Sequence, residues 1–379
     1  MGRLNVAATL MVVLVVATCS RAQEGSGCTD ASGLAGRCIS IRNCPPLRQL
    51  LQSLSGNTPN PNALEILRRS VCSFANNLPL VCCGRTSPNS TSTNPVATSS
   101  GRDLLPSRCG VTGLTDKIID GEDADLLAWP WMAVLRGKFP GQSRSQWYCG
   151  GVLINDRYVL TAAHCFKTGI SPRLEFVRLG EHTFNSNPDC QQNLCAPSPQ
   201  DIPVEQIIPH PQYESPCREC NDIALLRLAR PATLDFLHVV PICLPVDPLK
   251  DMGFSEEEFQ GKFAFAAGWG SQSRDPNRPD PADTLQQALL PIGEGEFCLS
   301  RLKRGYPDNR MTLCAGGQGK DTCKGDSGGP LMLANKFETR RFVVGITSLG
   351  PTVCGTRGTQ ALYTNVHYYA QWIIDTLRP

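Results

Sequence analysis

One hydroxyl set among glycines, in Thr322-Cys323-Lys324-Gly325-Asp326-Ser327-Gly328-Gly329-Pro330, is the strongest chemical signal in the chain. Gly328 and Gly329 carry no Cβ, so backbone can crowd close to whatever Ser327 attacks. The amides of Gly325 and Ser327 can both point at one spot, as donors to a developing oxyanion must. A serine is a poor nucleophile at neutral pH and needs a base that removes its proton. Among five histidines, His164 is the candidate, because Leu160-Thr161-Ala162-Ala163-His164-Cys165 ends an apolar, strand-like run beside a cysteine that can fix it. The base in turn needs a buried carboxylate to hold its tautomer and stabilise the imidazolium. Asp222 opens the apolar strand Ile223-Ala224-Leu225-Leu226-Arg227-Leu228, where a charge requires a partner. Singly, each residue is ordinary: a turn serine, a structural histidine at a strand end, a turn carboxylate.

Together they give the order His, Asp, Ser, which is that of the chymotrypsin-like proteases and not of subtilisins or α/β-hydrolases. TAAHC, DIALLRL and GDSGGP resemble the three signature segments of that family, and the resemblance covers roughly residues 118 to 379. It implies an all-β fold of two six-stranded antiparallel barrels with a C-terminal helix, the active site lying in the cleft between the barrels. It further implies that His164 is general base, Asp222 its orienting partner and Ser327 the nucleophile, with the Gly325 and Ser327 amides as oxyanion hole. Asp321 matches the position that lies at the pocket floor in trypsin-like members, where a buried carboxylate favours a substrate Arg or Lys. Thr322 would add a hydroxyl to that pocket, and Ser348-Leu349-Gly350 would form the opposing wall and pair with the substrate strand. Leu349 stands where Trp is usual, and Gln360-Ala361 replaces the usual Pro-Gly. Ala361 would then add a methyl to the pocket lining, narrowing it and slowing turnover without changing its charge preference.

Lys117-Ile118-Ile119-Asp120-Gly121 resembles the family's activation cut. Cleavage after Lys117 would create an α-ammonium at Ile118, and by the resemblance Asp326 is its buried partner. Pairing would draw Gly325 to Ser327 into oxyanion-hole geometry, so the uncut chain is expected to be an inactive zymogen.

The elements around this centre are read from composition. Residues 4 to 17 form a short apolar run behind Arg3, and small residues follow as far as Ala22. That is the pattern of a secretory signal peptide spanning 1–22, and no later segment has the ~20 apolar residues needed to span a bilayer. The 19 cysteines suit an oxidising compartment, and 18 remain once Cys19 leaves with the signal. A net charge of +2 gives no reason to expect nucleic acid or an anionic membrane as partner.

Residues 23–84 hold six cysteines, Cys28, Cys38, Cys44, Cys72, Cys82 and Cys83, around a short helical segment near 61–70. So small a unit needs disulfides as a staple; zinc is the competing use, disfavoured by secretion and the lack of nearby histidines. Spacing alone leaves fifteen connectivities open. The adjacent pair Cys82-Cys83 resembles the end of the clip domain of arthropod proteases, which implies Cys28–Cys82, Cys38–Cys72 and Cys44–Cys83. Residues 85–117 are linker and activation segment; from Gly84 to about Ser107 the chain is rich in Ser, Thr, Pro, Asn and Gly and reads as flexible. Asn89 heads a glycosylation sequon there.

In the protease region (118–379) the family pattern implies Cys149–Cys165, Cys298–Cys314 and Cys323–Cys354, leaving Cys243 to hold Cys109 so that the cut chains stay joined. Loop closure favours Cys190–Cys195 and Cys217–Cys220 among the three pairings of the last four. Calcium near Glu181 is conceivable by analogy but is not assigned; no other cofactor or metal is expected. Clip proteases of this layout resemble arthropod haemolymph enzymes that activate prophenoloxidase or the Toll ligand precursor. The resemblance implies an upstream trypsin-like protease, a downstream zymogen substrate and a serpin inhibitor as partners. A non-catalytic clip-domain homologue acting as a binding cofactor, and a broad digestive trypsin, are the competing functions. The stapled N-terminal module argues against the second.

Overall fold

The computed structural model describes residues 25–29, 35–44, 47–48, 67, 70–75, 78–84, 101–112, 122–191, 194–235, 237–273, 275, 277–293, 298, 300, 308–319, 321–351 and 353–379. The expected signal peptide, the sequon at Asn89, the cut at Lys117-Ile118 and most of the 61–70 segment lie outside those residues.

The N-terminal unit is one antiparallel sheet of β1 (Gly27–Thr29), β2 (Ala35–Ser40), β3 (Val71–Ala75) and β4 (Leu78–Gly84), in the order β1-β2-β4-β3. Ile41, Cys44, Leu67 and Val81 make its small core. Three disulfides, Cys28–Cys82, Cys38–Cys72 and Cys44–Cys83, supplement that core, as a sheet with so little to bury requires.

The larger unit begins with β5 (Glu122–Asp123), β6 (Met132–Lys138), β7 (Gln146–Leu153), β8 (Tyr158–Thr161) and β9 (Arg173–Leu179). A two-strand hairpin, β10 (Cys190–Gln191) and β11 (Leu194–Cys195), is closed by Cys190–Cys195. β12 (Gln200–Pro209) and β13 (Ala224–Leu228) follow. Six of these strands close a barrel in the order β12-β13-β8-β7-β6-β9. A short helix, α1 (Pro248–Met252), leads to β14 (Phe263–Gly268), β15 (Gln286–Pro291), β16 (Thr312–Gly316), β17 (Pro330–Ala334), β18 (Arg341–Leu349), β19 (Gln360–Asn365) and the terminal helix α2 (Ala370–Thr376).

The second half is a seven-stranded sheet, β16-β19-β18-β17-β14-β15-β5, rather than a six-stranded ladder closed on itself. Its six long strands are those expected, and β5 adds to the outer edge of β15. The two ends of the six-strand set meet at one isolated bridge, Ile292 to Ala315, where Gly293 N donates to Cys314 O at 2.9 Å.

Strands read as continuous apolar runs are covered on both faces: Tyr158 to Thr161 of β8 is buried throughout. One cluster spans both halves, taking Trp131, Leu135, Tyr158 and Leu160 from the barrel and Met332, Ile346, Val366 and Ile373 from the second half. Ile373 of α2 is fully buried, a contribution of about 2 kcal/mol. This cluster holds the halves in fixed register, which matters because the site draws on both.

The linker is more ordered near its end than its composition suggests. Gly101–Leu104 forms a 3-10 turn, and Leu104 and Leu105 pack against the main cluster. Asn155 Nδ2 donates to Leu104 O at 3.2 Å. Two leucines outweigh the surrounding polar residues, so the flexible reading fails for residues 101–107.

Candidate active site

Asp222 sits where the chain leaves a tight loop and enters β13. Asn221 before it takes a left-handed backbone, φ 57°, a conformation Asn tolerates better than most residues. Its side chain ties the loop together, Nδ2 donating to Gln212 O and Ser215 O at 2.9 and 2.7 Å, and Oδ1 accepting from Tyr369 OH at 2.9 Å. Cys217–Cys220 closes the same loop. The Asp222 carboxylate is thereby held under the barrel, its side chain only 4% exposed.

His164 comes from the 3-10 turn Ala163–Phe166 that follows β8, pinned by Cys149–Cys165. Its Nδ1 lies 2.7 Å from Asp222 Oδ2, and its backbone N donates to Asp222 Oδ1 at 2.8 Å. A carboxylate so placed favours the Nδ1–H tautomer and leaves Nε2 free to accept a proton. Burial disfavours the charged ring, but the charge and hydrogen bond of Asp222 outweigh it and hold His164 above the usual histidine range.

Ser348 Oγ also donates to Asp222 Oδ2, at 2.5 Å, and Thr364 Oγ1 donates to the Asp222 carbonyl at 2.7 Å. These two hydroxyls were not foreseen as supports of the carboxylate. The available signal was only that a buried charge needs partners; nothing local to Asp222 names residues 126 and 142 positions away.

Ser327 lies in the turn before β17. Its carbonyl accepts from Gly150 N at 2.8 Å, which ties the turn to β7 of the barrel. Gly328 has φ +78°, and a Cβ there would fall 2.2 Å from Thr161 Oγ1 and 2.7 Å from Gly150 O. Gly325 has φ +108°. Among the described residues no hydrogen bond joins Ser327 Oγ to His164, and neither the Gly325 nor the Ser327 amide has an internal acceptor. Both amides remain available to an incoming oxygen.

Behind this turn lies a cavity of about 330 Å³ that both Asp321 and Asp326 border. Asp326 accepts from Gly270 N and Cys323 N, each at 2.8 Å. Loss of bulk water drives its pKa up, against the pull of those amides. Asp321 has no hydrogen-bond partner for either buried oxygen among the described residues. Burial, outweighing the nearby Thr322 amide and reinforced by the Asp326 carboxylate, pushes it up to about 7. A second hollow, about 230 Å³, holds Ser327, Ser348, Leu349 and Gly350.

Asp321, expected beneath Ser327, thus borders the Asp326 cavity and not the Ser327 cleft, and Thr322 borders both. The Thr322 hydroxyl bonds Tyr363 OH at 3.1 Å rather than standing free. Ala361, expected on the pocket wall, is instead fully buried in the second apolar cluster, opposite Ala315 in β16, and borders neither cavity. Glu181 is already paired with a cation, Arg178 Nη1 at 2.9 Å. Cys149, His164 and Cys165 cluster at metal-ligand spacing, but both sulfurs are committed to a disulfide. The other pairs are Cys109–Cys243, Cys298–Cys314 and Cys323–Cys354.

Residues 118–373 match the trypsin family, and residues 28–83 match the regulatory CLIP domain of proteinases. The chain is a clip-domain serine protease. It is 36% identical to phenoloxidase-activating factor 3 of Holotrichia diomphalia, over 98% of this chain and 99% of that one. It is 34% identical to melanization protease 1 of Drosophila melanogaster, with 98% of each covered. The crystal structure of the Drosophila Grass clip serine protease of the Toll pathway superposes with a TM-score of 0.61 at 31% identity, covering 93% of this chain and 98% of Grass. This clip-domain protease is therefore a serine endopeptidase. No described helix is long and apolar enough to cross a membrane.

Proposed function

We propose that this chain is the secreted zymogen of a trypsin-like endopeptidase, switched on by cleavage after Lys117 and cutting after Arg or Lys in an extracellular immune cascade. The observation that carries the reading is the pair of acidic side chains behind the nucleophile turn. Among the described residues, neither buried oxygen of Asp321 has a side-chain partner and Asp326 accepts from two backbone amides. Buried carboxylates of this kind call for cations. The new Ile118 ammonium would supply one to Asp326, and a substrate guanidinium or ammonium would supply the other to Asp321, once the turn reorganises to open Asp321 toward Ser327.

In the cut enzyme, Ser327 Oγ attacks the scissile carbonyl while His164 Nε2 takes its proton. Asp222, steadied by Ser348 and Thr364, stabilises the imidazolium. The Gly325 and Ser327 amides receive the oxyanion, His164 returns the proton to the leaving amine, and water then repeats the sequence on the acyl-enzyme. Relatives named for phenoloxidase activation, melanisation and the Toll pathway support a cascade role. An upstream trypsin-like protease, a downstream zymogen and a serpin would be its partners, and haemolymph its setting. The expected signal at 1–22, domain limits 23–84 and 118–379, and a sugar at Asn89 belong to the same reading.

The test is to cut the purified precursor after Lys117 and expose it to a fluorophosphonate probe, then to assay Arg, Lys and Phe peptides side by side. Labelling of Ser327 only after the cut, with Arg and Lys preferred, is expected. A cut chain that stays unlabelled would instead be a binding cofactor, and a preference for Phe would refute the role of Asp321.

A further inference from the structure

Cys217 and Cys220, in Cys217-Arg218-Glu219-Cys220, are bonded across a sequence separation of 3, against 5 to 134 for the other disulfides. A cross-link restrains the unfolded chain more the longer the loop it closes, so this one does least to hold the fold together. Its effect is local. Cys220 is fully buried in the main cluster, and Cys217 is half-buried against it. Asn221 and Asp222 follow directly. Glu214 N donates to Cys220 O at 3.0 Å, and Cys220 N donates to Cys217 O at 3.2 Å. Both carbonyls that accept from Asn221 Nδ2, Gln212 O and Ser215 O, belong to the arm of the loop that ends at Cys217. The bridge therefore fastens that arm beside the residues that carry Asp222 into β13. Asn221, at φ 57°, keeps so sparsely populated a backbone only where its surroundings over-determine it.

We propose that Cys217–Cys220 is a thiol-exchange site, through which a dithiol reversibly slows the protease by loosening the loop that positions Asp222. The inference goes beyond the function proposed above and uses the cut after Lys117 only to obtain active enzyme. Exposure directs the attack to Cys217, since Cys220 is closed to solvent. One thiolate of the dithiol attacks Cys217 Sγ; the Sγ–Sγ bond breaks, and its electron pair leaves on Cys220 Sγ, which takes a proton from water. The second thiolate of the dithiol then displaces Cys217 Sγ, which is protonated in turn, and the reagent departs as a disulfide. Two electrons have passed to the bridge, and exchange with an oxidised disulfide runs the steps backwards. With the bridge open, Asp222 loses the fixed approach that sets the His164 tautomer. Ser348 and Thr364 still hold its carboxylate and carbonyl, so the enzyme is slowed and not silenced. A shift of about 1 Å there lowers kcat by roughly ten- to a hundredfold. Cys190, exposed in the other small bridge, closes a hairpin that carries none of the triad.

The experiment uses the full-length protein cut after Lys117, with active sites counted from the end-point of fluorophosphonate labelling. Samples are held in graded dithiothreitol, assayed with an Arg peptide, then alkylated with iodoacetamide and mapped by mass spectrometry. In wild type, kcat per titrated site should fall as Cys217 and Cys220 become alkylated, with KM unchanged, and should recover when oxidised glutathione replaces the dithiol. The double variant Cys217→Ser, Cys220→Ser should start at the lowered kcat and ignore the dithiol. The double variant Cys190→Ser, Cys195→Ser should keep both the wild-type kcat and the response. Where the first variant does not fold, the match between alkylation and kcat in wild type decides. Alkylation of Cys217 without loss of kcat, or a bridge that opens only along with Cys149–Cys165, overturns the assignment. A cut wild type that never labels speaks against activation at Lys117 instead, so the two failures are separable.

Discussion

Asp222 and Asp321 are both carboxylates below the surface, and their surroundings give them opposite characters. Asp222 accepts from a backbone amide, an imidazole and a hydroxyl, so its charge is balanced within the fold. Asp321 has no such partners, and burial pushes it up to about 7. The folded, uncut chain therefore keeps a proton on Asp321 between about pH 4 and 7, while the unfolded chain has released it. The unfolded state binds fewer protons across that window, so stability falls as pH rises from 4 to 7 and levels off above. Asp326 acts in the same direction, so the informative quantity is a difference. Asp321→Asn should be more stable than wild type at pH 7 by up to about 4 kcal/mol and nearly equal to it at pH 4. Urea unfolding of the uncut precursor, disulfides intact, measures this; a gap independent of pH would show that Asp321 is ionised in the fold.

The turn between Lys324 and Pro330 is the element that joins the two halves. Ser327 O meets Gly150 N of β7, and Gly328 lies against Thr161 of β8. Gly328→Ala would place a methyl in space held by Thr161 Oγ1 and Gly150 O, at a positive φ that alanine resists. A cost of roughly 2–4 kcal/mol is expected. It should appear as a lowered melting temperature and, in correctly folded and cut protein, as slower fluorophosphonate labelling; wild-type labelling would mean the turn can shift without consequence. This element also shows what could be read in advance. The glycines, Ser327, His164 and Asp222 were legible because each sits in a short motif whose chemistry is local. Ser348 and Thr364 were not, since their contact with Asp222 is made by strands β18 and β19 folding back under the barrel. The displacement of Asp321 into the Asp326 cavity was equally invisible, because it depends on how the turn packs and not on its residue types. Leu104 and Leu105 were hidden by polar neighbours, and β5 by its length of two residues.

At the scale of the molecule the question is what would keep the CLIP domain and the protease domain together if the chain is cut after Lys117, as proposed. Leu237 packs against the clip core and also against the cluster of Leu126, Leu127, Leu194 and Ala196, so one loop of the protease touches both units. Its position is set by Asp235, whose Oδ1 accepts from the amides of Leu237 and His238 at 2.8 and 2.6 Å. One such apolar contact contributes about 2 kcal/mol, too little to hold two chains together at high dilution, since even micromolar binding needs about 8 kcal/mol. The covalent link is Cys109–Cys243, whose members stand 134 residues apart, Cys109 on the N-terminal side of the cut after Lys117 and Cys243 on the other. Gly110 N donating to Pro241 O at 2.8 Å and Arg341 N donating to Gly110 O at 2.7 Å seat it against β18. After cleavage at Lys117, the two chains should therefore run as one species on a non-reducing gel and as two on a reducing gel. In the double variant Cys109→Ser, Cys243→Ser, with no odd thiol left to mispair, the clip chain should separate from the protease on size-exclusion chromatography at micromolar concentration. Co-elution of the cut double variant would mean that the contact through Leu237 and the packing of residues 101–112 against the protease suffice without the disulfide.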